Sequence, residues 1–306
     1  MAGKITRPRP NKDRLRRTMM FMNAQRPGLI KDAYIYGCDS IMLDLEDAVA
    51  VNQKDAARFS LYHALTTIDY GDTEVIVRIN GTDTEYWQED VRVCVAGGAD
   101  GIRIPKCESA EQVKEVEAAV EAAEKEFGVE VGRTLLMAAL ESPLGIMNAY
   151  EICTASDRML GCAISGGDFR QSMHVQIEPD GIEMQAARGQ MLLAARAAGV
   201  QCLDTMYPNL DDEEGFRREV DLIVRMGFDG KSLINPKQIA YVHERLAPTQ
   251  KQIAHSEKIV RSCREQADAG VGVYVVDGKM VDPPFYKEAE RIIELAKKCG
   301  IYHGDL

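Results

Sequence analysis

Eight short apolar runs alternate along this chain with segments of helix length, and no other feature limits the possible fold as much. The runs are residues 18–22, 41–45, 75–79, 101–104, 135–140, 159–164, 201–203 and 231–234, and the helix-length segments are 28–36, 53–66, 86–96, 109–126, 146–156, 184–199, 212–226 and 237–246. Strands that alternate with helices pair in parallel through βαβ crossovers. Eight of each predicts an α/β fold of the (β/α)8 TIM barrel type, whose active site lies at the C-terminal ends of the strands.

A doubly wound open sheet is the alternative architecture. Its dinucleotide-binding form carries a G-x-G-x-x-G motif after an early strand. This chain has no such motif there, which favours the barrel.

Residues 248–306 follow a different pattern. Pro248 opens a charged helical segment that ends near residue 269, and Asp277-Gly278 then separates two short apolar runs, which is a strong hairpin signal. A last helical segment follows at 285–299. We therefore predict a barrel domain over residues 1–247 and a C-terminal helix-hairpin-helix extension over 248–306, which covers the barrel mouth or reaches a neighbouring subunit.

Composition and charge argue against several classes of protein. The chain has 306 residues, of which 45% are hydrophobic and 28% charged, and its net charge of −11 argues against nucleic-acid binding. No run approaches a membrane span, and the polar, basic residues 1–17 lack the apolar core of a signal peptide, so we expect them to form a loose arm. The eight cysteines show neither CxxC pairs nor zinc-type spacings, which indicates reduced thiols in a cytoplasmic protein.

Two carboxylates follow the two strands of one predicted βαβ unit. Glu141 comes directly after the run 135–140, and Asp168 follows the run 159–164 within Ser-Gly-Gly-Asp-Phe. Because these strands are parallel, both side chains emerge at the same end of the barrel. Mg²⁺ prefers oxygen ligands of this kind. The pair therefore predicts a Mg²⁺ site, although each acid taken alone also suits a helix cap.

Other charged side chains lie at predicted strand ends. Asp44 lies near the end of the second run, and Glu46 and Asp47 follow it; the three acids are either an ordinary acidic loop or a group that orients the waters of the metal. Arg78 lies inside an apolar strand. A cation in that position needs either an internal acid or a bound anion, and a guanidinium fork suits a substrate carboxylate.

Backbone amides and a lysine add further candidates. Gly166 and Gly167 precede Asp168, and their amides are predicted to form an anion-binding nest. Lys106 follows Pro105 and is an alternative Schiff-base lysine. Metal and Schiff-base chemistry are alternative electron sinks, and the acid pair favours the metal.

Several sequence motifs occur in a fixed order between about residue 16 and residue 282. They are RINGTDTEYWQEDV, IRIPKCES, AALESPLGI, ISGGDF, FDGKSLINPKQI, APTQKQI and DGKMVD. Together they resemble those of the citrate lyase β-subunit family, the citryl-thioester lyases of the CitE-like HpcH/HpaI superfamily. One departure follows the first strand, where the family commonly has Leu-Phe-Val-Pro-Gly and this chain has Met-Phe-Met-Asn-Ala at 20–24.

The resemblance implies roles for individual residues. It implies a barrel that binds Mg²⁺ through Glu141 and Asp168 and holds a substrate carboxylate through Arg78. Its acidic loop after the second strand falls on Glu46 and Asp47. Malyl-CoA lyase relatives place a catalytic aspartate from a neighbouring subunit at the position of Asp282, so the resemblance also implies a homo-oligomer, a trimer or a hexamer.

The resemblance further implies the reaction and its partners. A citryl thioester is cleaved by a retro-aldol step to oxaloacetate and an acetyl thioester, with an acyl carrier subunit and an α subunit of citrate lyase as partners. A malyl-CoA or citramalyl-CoA lyase is the nearer alternative. A non-catalytic subunit of a lyase complex is the other alternative, but such a subunit has no need of Arg78, Glu141 and Asp168 together.

Overall fold

The first of two compact units is a closed parallel barrel. The computed structural model describes residues 7–267, 274–276 and 278–306, and the chain divides into units at 1–242 and 243–306. Each barrel strand pairs with the next, and β8 pairs with β1. The strands are β1 Thr18–Asn23, β2 Ser40–Asp44, β3 Glu74–Arg78, β4 Gly101–Ile104, β5 Leu135–Leu140, β6 Met159–Ile164, β7 Gln201–Asp204 and β8 Gly230–Leu233. The TIM barrel prediction is therefore confirmed.

Helices follow the barrel strands as the alternation predicts. They are α1 Pro27–Ile30, α2 Lys54–Thr67, α3 Trp87–Gly97, α4 Ala110–Phe127, α5 Pro143–Met147, α6 Ala149–Cys153, α7 Gly166–Met173, α8 Ile182–Ala198, α9 Glu213–Met226 and α10 Ile239–Leu246. α4 shows the local logic: Ser109 and Gln112 form a capping box at its start, and Val113, Val116 and Val120 bury one face.

Two of the predicted helices differ in the structure, and one helix was not predicted. The segment 28–36 contains the short α1 and a 3-10 helix, Ala33–Tyr36. The segment 146–156 is interrupted at Asn148, whose side-chain amide donates to the Glu108 carbonyl at 2.8 Å, so α5 and α6 are separate. α7 begins at Gly166, where the sequence predicted an anion-binding nest and no helix.

Arginines of the N-terminal segment pair with acids at the N-terminal ends of the strands. Arg16 makes two hydrogen bonds to Glu74, at 2.8 and 2.7 Å, inside the barrel, and Arg7 reaches Asp100 just before β4. Gly230 is required here, because a Cβ added to it would lie 1.9 Å from the Arg16 carbonyl oxygen. The prediction of a loose arm is therefore wrong from residue 7 onward.

An apolar layer in the barrel interior separates the Arg16–Glu74 pair at the N-terminal end from charged side chains at the C-terminal end. One cluster of buried side chains draws on six strands, which is only feasible inside the barrel: Met19, Met42, Ile76, Leu135, Met137, Leu160, Ala163 and Leu203. Side chains two residues apart on a strand share a face. Asp44 and Arg78 therefore point inward like Met42 and Ile76, and they are paired in register with each other.

The second unit is a small helical layer with a hairpin. α11, Gln250–Ala267, and α12, Pro283–Lys298, enclose a core with the antiparallel strands β9, Tyr274–Val276, and β10, Lys279–Val281. Buried side chains of this core include Ile259, Val276, Val281 and Ile293. The helix-hairpin-helix pattern is present, although Asp277 of the predicted turn lies outside the described residues.

Two expectations from composition concern the whole chain. None of the eight cysteines, all of which are described, forms a disulfide, and seven are buried. Within the described ranges, no helix is both long and apolar enough to cross a membrane.

Candidate active site

The predicted acid pair borders a cavity of about 540 Å³ at the C-terminal end of the barrel. Glu141 and Asp168 line it, together with Lys106 and other residues that follow β3, β4, β5 and β6. Those further residues are Gly81, Thr82, Asp83, Pro105, Glu108, Gln112, Ser142, Gln171 and Ser172. A larger cavity, about 750 Å³, is lined by Arg170, Arg188 and Tyr207 among others but contains neither carboxylate.

Glu141 is a buried carboxylate without a hydrogen-bond donor. It follows β5, is 3% exposed, and neither carboxylate oxygen has a partner among the described residues. The cap of α5 is made instead by Ser142, whose hydroxyl accepts from the Gly145 amide at 3.2 Å. Burial, reinforced by the carboxylates of Glu46 and Asp168, raises the pKa of Glu141 to about 7.

Asp168 lies in the first turn of α7 and is half-buried. Its Oδ2 accepts a hydrogen bond from the Ser165 hydroxyl at 3.2 Å. Neither Asp168 nor Glu141 caps a helix with its side chain, since the residue that precedes α7 is Ser165 and the one that precedes α5 is Ser142. The alternative that both acids are only helix caps is therefore wrong.

The residues present fit a Mg²⁺ ion. An ionised carboxylate that is buried without a donor is costly, and a cation beside it removes that cost. Mg²⁺ is commonly held by one or two carboxylates, with waters and substrate oxygens completing its coordination. Glu141 and Asp168 supply two such ligands. Among the described residues, no cluster of three His, Cys, Asp or Glu side chains supplies a denser protein site.

Of the two backbone amides predicted to form the anion nest, the Gly166 amide is already used in a hydrogen bond within the protein. The Gly166 amide already donates to the Thr205 hydroxyl at 2.9 Å. A Cβ at Gly166 would lie 2.8 Å from both the Thr205 hydroxyl and a nitrogen of Arg170, so packing accounts for this glycine. Gly167 is exposed in the first turn of α7, and a Cβ added to it would meet no atom within 4 Å.

Arg78 has an internal acid partner. Its Nε and Nη2 donate to Oδ1 and Oδ2 of Asp44, each at 2.7 Å, in a bidentate fork. Its Nη1 lies 2.9 Å from Oε2 of Glu46 and 3.6 Å from Oδ2 of Asp47. Of the two partners that the sequence left open, the structure shows the internal acid, and Nη1 is the nitrogen that Asp44 leaves available.

Glu46 connects Arg78 to Lys106. Lys106 donates to Oε1 of Glu46 at 2.7 Å and lies 3.6 Å from the half-exposed Asp47. Burial alone would lower the pKa of Lys106, but the Glu46 contact outweighs it and holds that pKa above the ordinary value. A Schiff-base lysine must lose its proton, so this environment disfavours that alternative. Lys106 also has a φ of 45°, an uncommon conformation outside glycine that is often found at functional sites.

Arg103 is a buried site residue that the sequence reasoning missed. It is paired in register with Arg78 on one side and Met137 on the other, and therefore faces the barrel interior. Its side chain is buried, and neither Nε nor Nη1 has a hydrogen-bond partner among the described residues. An arginine inside an apolar run, Ile-Arg-Ile, was the available signal, identical in kind to the one that identified Arg78.

Asp282 belongs to the second unit and is the N-cap of α12. Its Oδ1 accepts from the Phe285 amide at 3.4 Å, with Pro283 at the first helical position. This capping contact is compatible with a further role for its second carboxylate oxygen. The structure brings Arg78, Glu46, Asp47, Glu141 and Asp168 together within the first unit.

Comparison with known proteins gives matches over nearly the whole chain. A family model described as HpcH/HpaI aldolase/citrate lyase matches residues 17–236, and one described as a C-C bond lyase of the TIM-barrel fold matches residues 182–301. Citrate lyase subunit beta of Leuconostoc mesenteroides subsp. cremoris is 50% identical over 94% of this chain and 95% of its own length. That of Escherichia coli K12 is 42% identical over 95% and 96%. A (3S)-malyl-CoA thioesterase of Cereibacter sphaeroides is 35% identical over 87% and 89%.

Solved structures agree with these matches. CitE from Mycobacterium tuberculosis in complex with magnesium, acetoacetate and coenzyme A superposes with a TM-score of 0.75 at 29% identity, covering 94% of this chain and 100% of that one. The citrate lyase beta subunit from the same organism, complexed with oxaloacetate and magnesium, gives a TM-score of 0.65 at 30% identity over 78% and 99%.

Proposed function

The chain belongs to the HpcH/HpaI aldolase/citrate lyase family, and from that membership we propose that it is the β subunit of a citrate lyase. In this function it cleaves a citryl thioester to oxaloacetate and an acetyl thioester in a Mg²⁺-dependent reaction. The observation that carries the proposal is Glu141, a buried carboxylate beside Asp168 that has no hydrogen-bond donor in the described part of the chain, which is 50% identical to a citrate lyase subunit beta.

The reaction needs one group that accepts a proton from the substrate and one that donates a proton to the product. Loss of the proton from the C3 hydroxyl of the citryl group starts the cleavage. The bond between C2 and C3 then breaks, its electron pair forms the enolate of the acetyl thioester, and a proton added to that carbon completes the products. Mg²⁺ bound at Glu141 and Asp168 supplies a Lewis acid that stabilises negative charge on the substrate oxygens. In this proposal Asp47, about half exposed and 3.6 Å from both Lys106 and Arg78, accepts the proton.

Arg78 holds one substrate carboxylate in this proposal, through the Nη1 that Asp44 does not occupy. The substrate carboxylate then competes with Glu46 and Asp47 for that nitrogen. Arg78→Lys keeps the charge but loses the planar fork, so we expect it to lower turnover of the citryl thioester. Wild-type kinetics in this variant would show that Arg78 forms only a structural ion pair and does not bind the substrate.

The proposed role as a citrate lyase β subunit implies two protein partners. An acyl carrier subunit would present the citryl group, and an α subunit would exchange acyl groups on that carrier. The β subunit itself is proposed to be a trimer or hexamer in which Asp282 protonates the enolate in a neighbouring barrel.

A product assay tests the proposed function. Purified protein with Mg²⁺ is expected to release oxaloacetate and acetyl-CoA from citryl-CoA, and EDTA is expected to abolish this release. Glyoxylate from malyl-CoA, or pyruvate from citramalyl-CoA, at higher kcat/KM would identify one of the alternative lyases. The 35%-identical thioesterases suggest one further outcome: free CoA without C–C cleavage would identify a thioester hydrolase.

A further inference from the structure

Arg103 is a buried cation that the proposed mechanism does not use. It is 1% exposed, and its Nε and Nη1 lack hydrogen-bond partners among the described residues. Leaving a guanidinium unpaired in a protein interior is costly, and arginines in such positions are normally paired or bind an anion. Arg78 beside it donates through Nε and Nη2 to Asp44, which leaves only its Nη1, 2.9 Å from Glu46, for one substrate carboxylate.

The surroundings of Arg103 favour the binding of an anion. Its guanidinium carbon lies 5.2 Å from the centre of the Phe21 ring, and that of Arg78 lies 5.4 Å from the same ring. Burial and the neighbouring Arg78 charge lower the pKa of Arg103 to about 10, while Glu141, Glu46 and Asp44 oppose that change. An anion bound at Arg103 would offset both the burial and the repulsion between the two guanidinium groups.

Small side chains line β5 and β6 in the layer between Arg103 and the C-terminal end of the barrel. Met137 is its register partner on β5, and the next inward position toward the C-terminal end is Ala139, paired with Ala163 on β6. Glu141 follows at the cavity. No large side chain of β5 or β6 therefore fills the layer between Arg103 and the acid pair.

We propose that Arg103 binds the carboxylate that distinguishes a citryl group from a malyl or citramalyl group, an inference that rests on the proposed lyase function. The three groups share a carbon that carries a hydroxyl and a carboxylate. At that carbon a malyl group has a hydrogen, a citramalyl group a methyl, and a citryl group a carboxymethyl arm. Only the last needs a second cation, and Arg103 is a second arginine in the barrel interior whose Nε and Nη1 have no hydrogen-bond partner within the described ranges.

The products allow a test by binding, without turnover. Oxaloacetate keeps the carboxymethyl arm, whereas pyruvate has a methyl in its place. In calorimetric titrations with Mg²⁺ present, the wild type is expected to bind freshly prepared oxaloacetate more tightly than pyruvate. Arg103→Met is expected to weaken oxaloacetate binding about 10- to 100-fold, the loss of one charge-assisted hydrogen-bonded pair, and to leave pyruvate binding unchanged.

Control variants separate this role from a structural one. Arg92→Met removes an exposed arginine that pairs with Glu126 on the outer helices, and it is expected to leave both affinities unchanged. Since Arg103 is buried without partners at Nε and Nη1, Arg103→Met is expected to melt at or above the wild-type temperature. If that variant does not fold, Arg103→Lys is used, with the same selective loss of oxaloacetate affinity but a smaller one.

Two results would overturn the proposal: a wild type that binds oxaloacetate no better than pyruvate, or Arg103 variants that weaken both ligands equally or neither. Failure of the proposed function is seen separately, as absence of oxaloacetate release from citryl-CoA by the wild type.

Discussion

At the scale of single residues, the site combines paired and unpaired charges within a few strand ends. Arg78 and Asp44 satisfy each other through a bidentate fork, and Glu46 forms an ion pair with Arg78 at 2.9 Å, so the arginine is held in place before any ligand arrives. Glu141 and Arg103 have unsatisfied polar atoms. In a low-dielectric interior an unsatisfied group is more costly than a paired one is favourable, so these two positions are where a bound cation and a bound anion gain most.

Replacing Glu141 separates metal binding from folding. Glu141→Gln keeps the shape of the side chain and removes its charge. We expect Mg²⁺ to raise the melting temperature of the wild type but not that of the variant, and lyase activity to fall at least about 10³-fold, since Lewis-acid stabilisation is worth several kcal/mol. Glu111→Gln, an exposed change of the same chemistry on α4, is the control. If Glu141→Gln keeps activity that resists EDTA, Glu141 does not bind the metal.

The raised pKa of Glu141 predicts how Mg²⁺ affinity depends on pH. The pKa is about 7 in the folded metal-free protein and 4.5 as the ordinary value, so the folded state binds the extra proton between these limits. The protonated Glu141 therefore raises the free energy of unfolding of the metal-free protein at low pH. This contribution is lost as the pH rises toward 7. Mg²⁺ must displace the same proton. We expect its affinity to rise about tenfold per pH unit below 7 and to level off above 7, as measured by calorimetry.

At the scale of secondary structure, the strands were predictable because each is a short apolar run flanked by polar residues. All eight runs agree with a strand to within one residue at either end. α7 was missed because Gly166-Gly167 is unfavourable in a helix interior, yet these residues are tolerated in its first turn. The pairing of Arg78 with Asp44 depends on strand register, which one sequence does not specify, and the lack of partners at Nε and Nη1 of Arg103 depends on everything packed around it.

The cap of α12 provides a test of Asp282 that isolates its carboxylate. Asp282→Ala removes both the cap and the charge and is expected to cost about 0.5–2 kcal/mol of stability. Asp282→Asn keeps the cap, because Asn caps helices as well as Asp does. If Asp282 supplies the proton, both variants lose activity while only Asp282→Ala melts earlier. Full activity in Asp282→Asn would show that Asp282 caps α12 and has no catalytic role.

At the scale of the whole molecule, the sequence predicts a chain with two parts that act together. Residues 1–242 carry the acid pair, and residues 243–306 carry Asp282, the aspartate that caps α12. The boundary after residue 247 stays a prediction, as does the oligomer. In a closed symmetric oligomer each barrel has one neighbour in the same relation to it, so a residue supplied by one subunit reaches every site. The proposed trimer or hexamer meets this requirement.

Mixed oligomers test whether Asp282 acts between subunits. Glu141→Gln and Asp282→Asn, each inactive alone, are unfolded, combined in equal amounts and reassembled. If a site takes its barrel from one subunit and its aspartate from a neighbour, about a quarter of the sites in a random mixture receive both intact parts. About a quarter of the wild-type activity on citryl-CoA is then expected to return, and each variant reassembled by itself is expected to stay inactive. When mass spectrometry shows mixed oligomers and activity is still absent, the aspartate of one subunit does not complete the barrel of another.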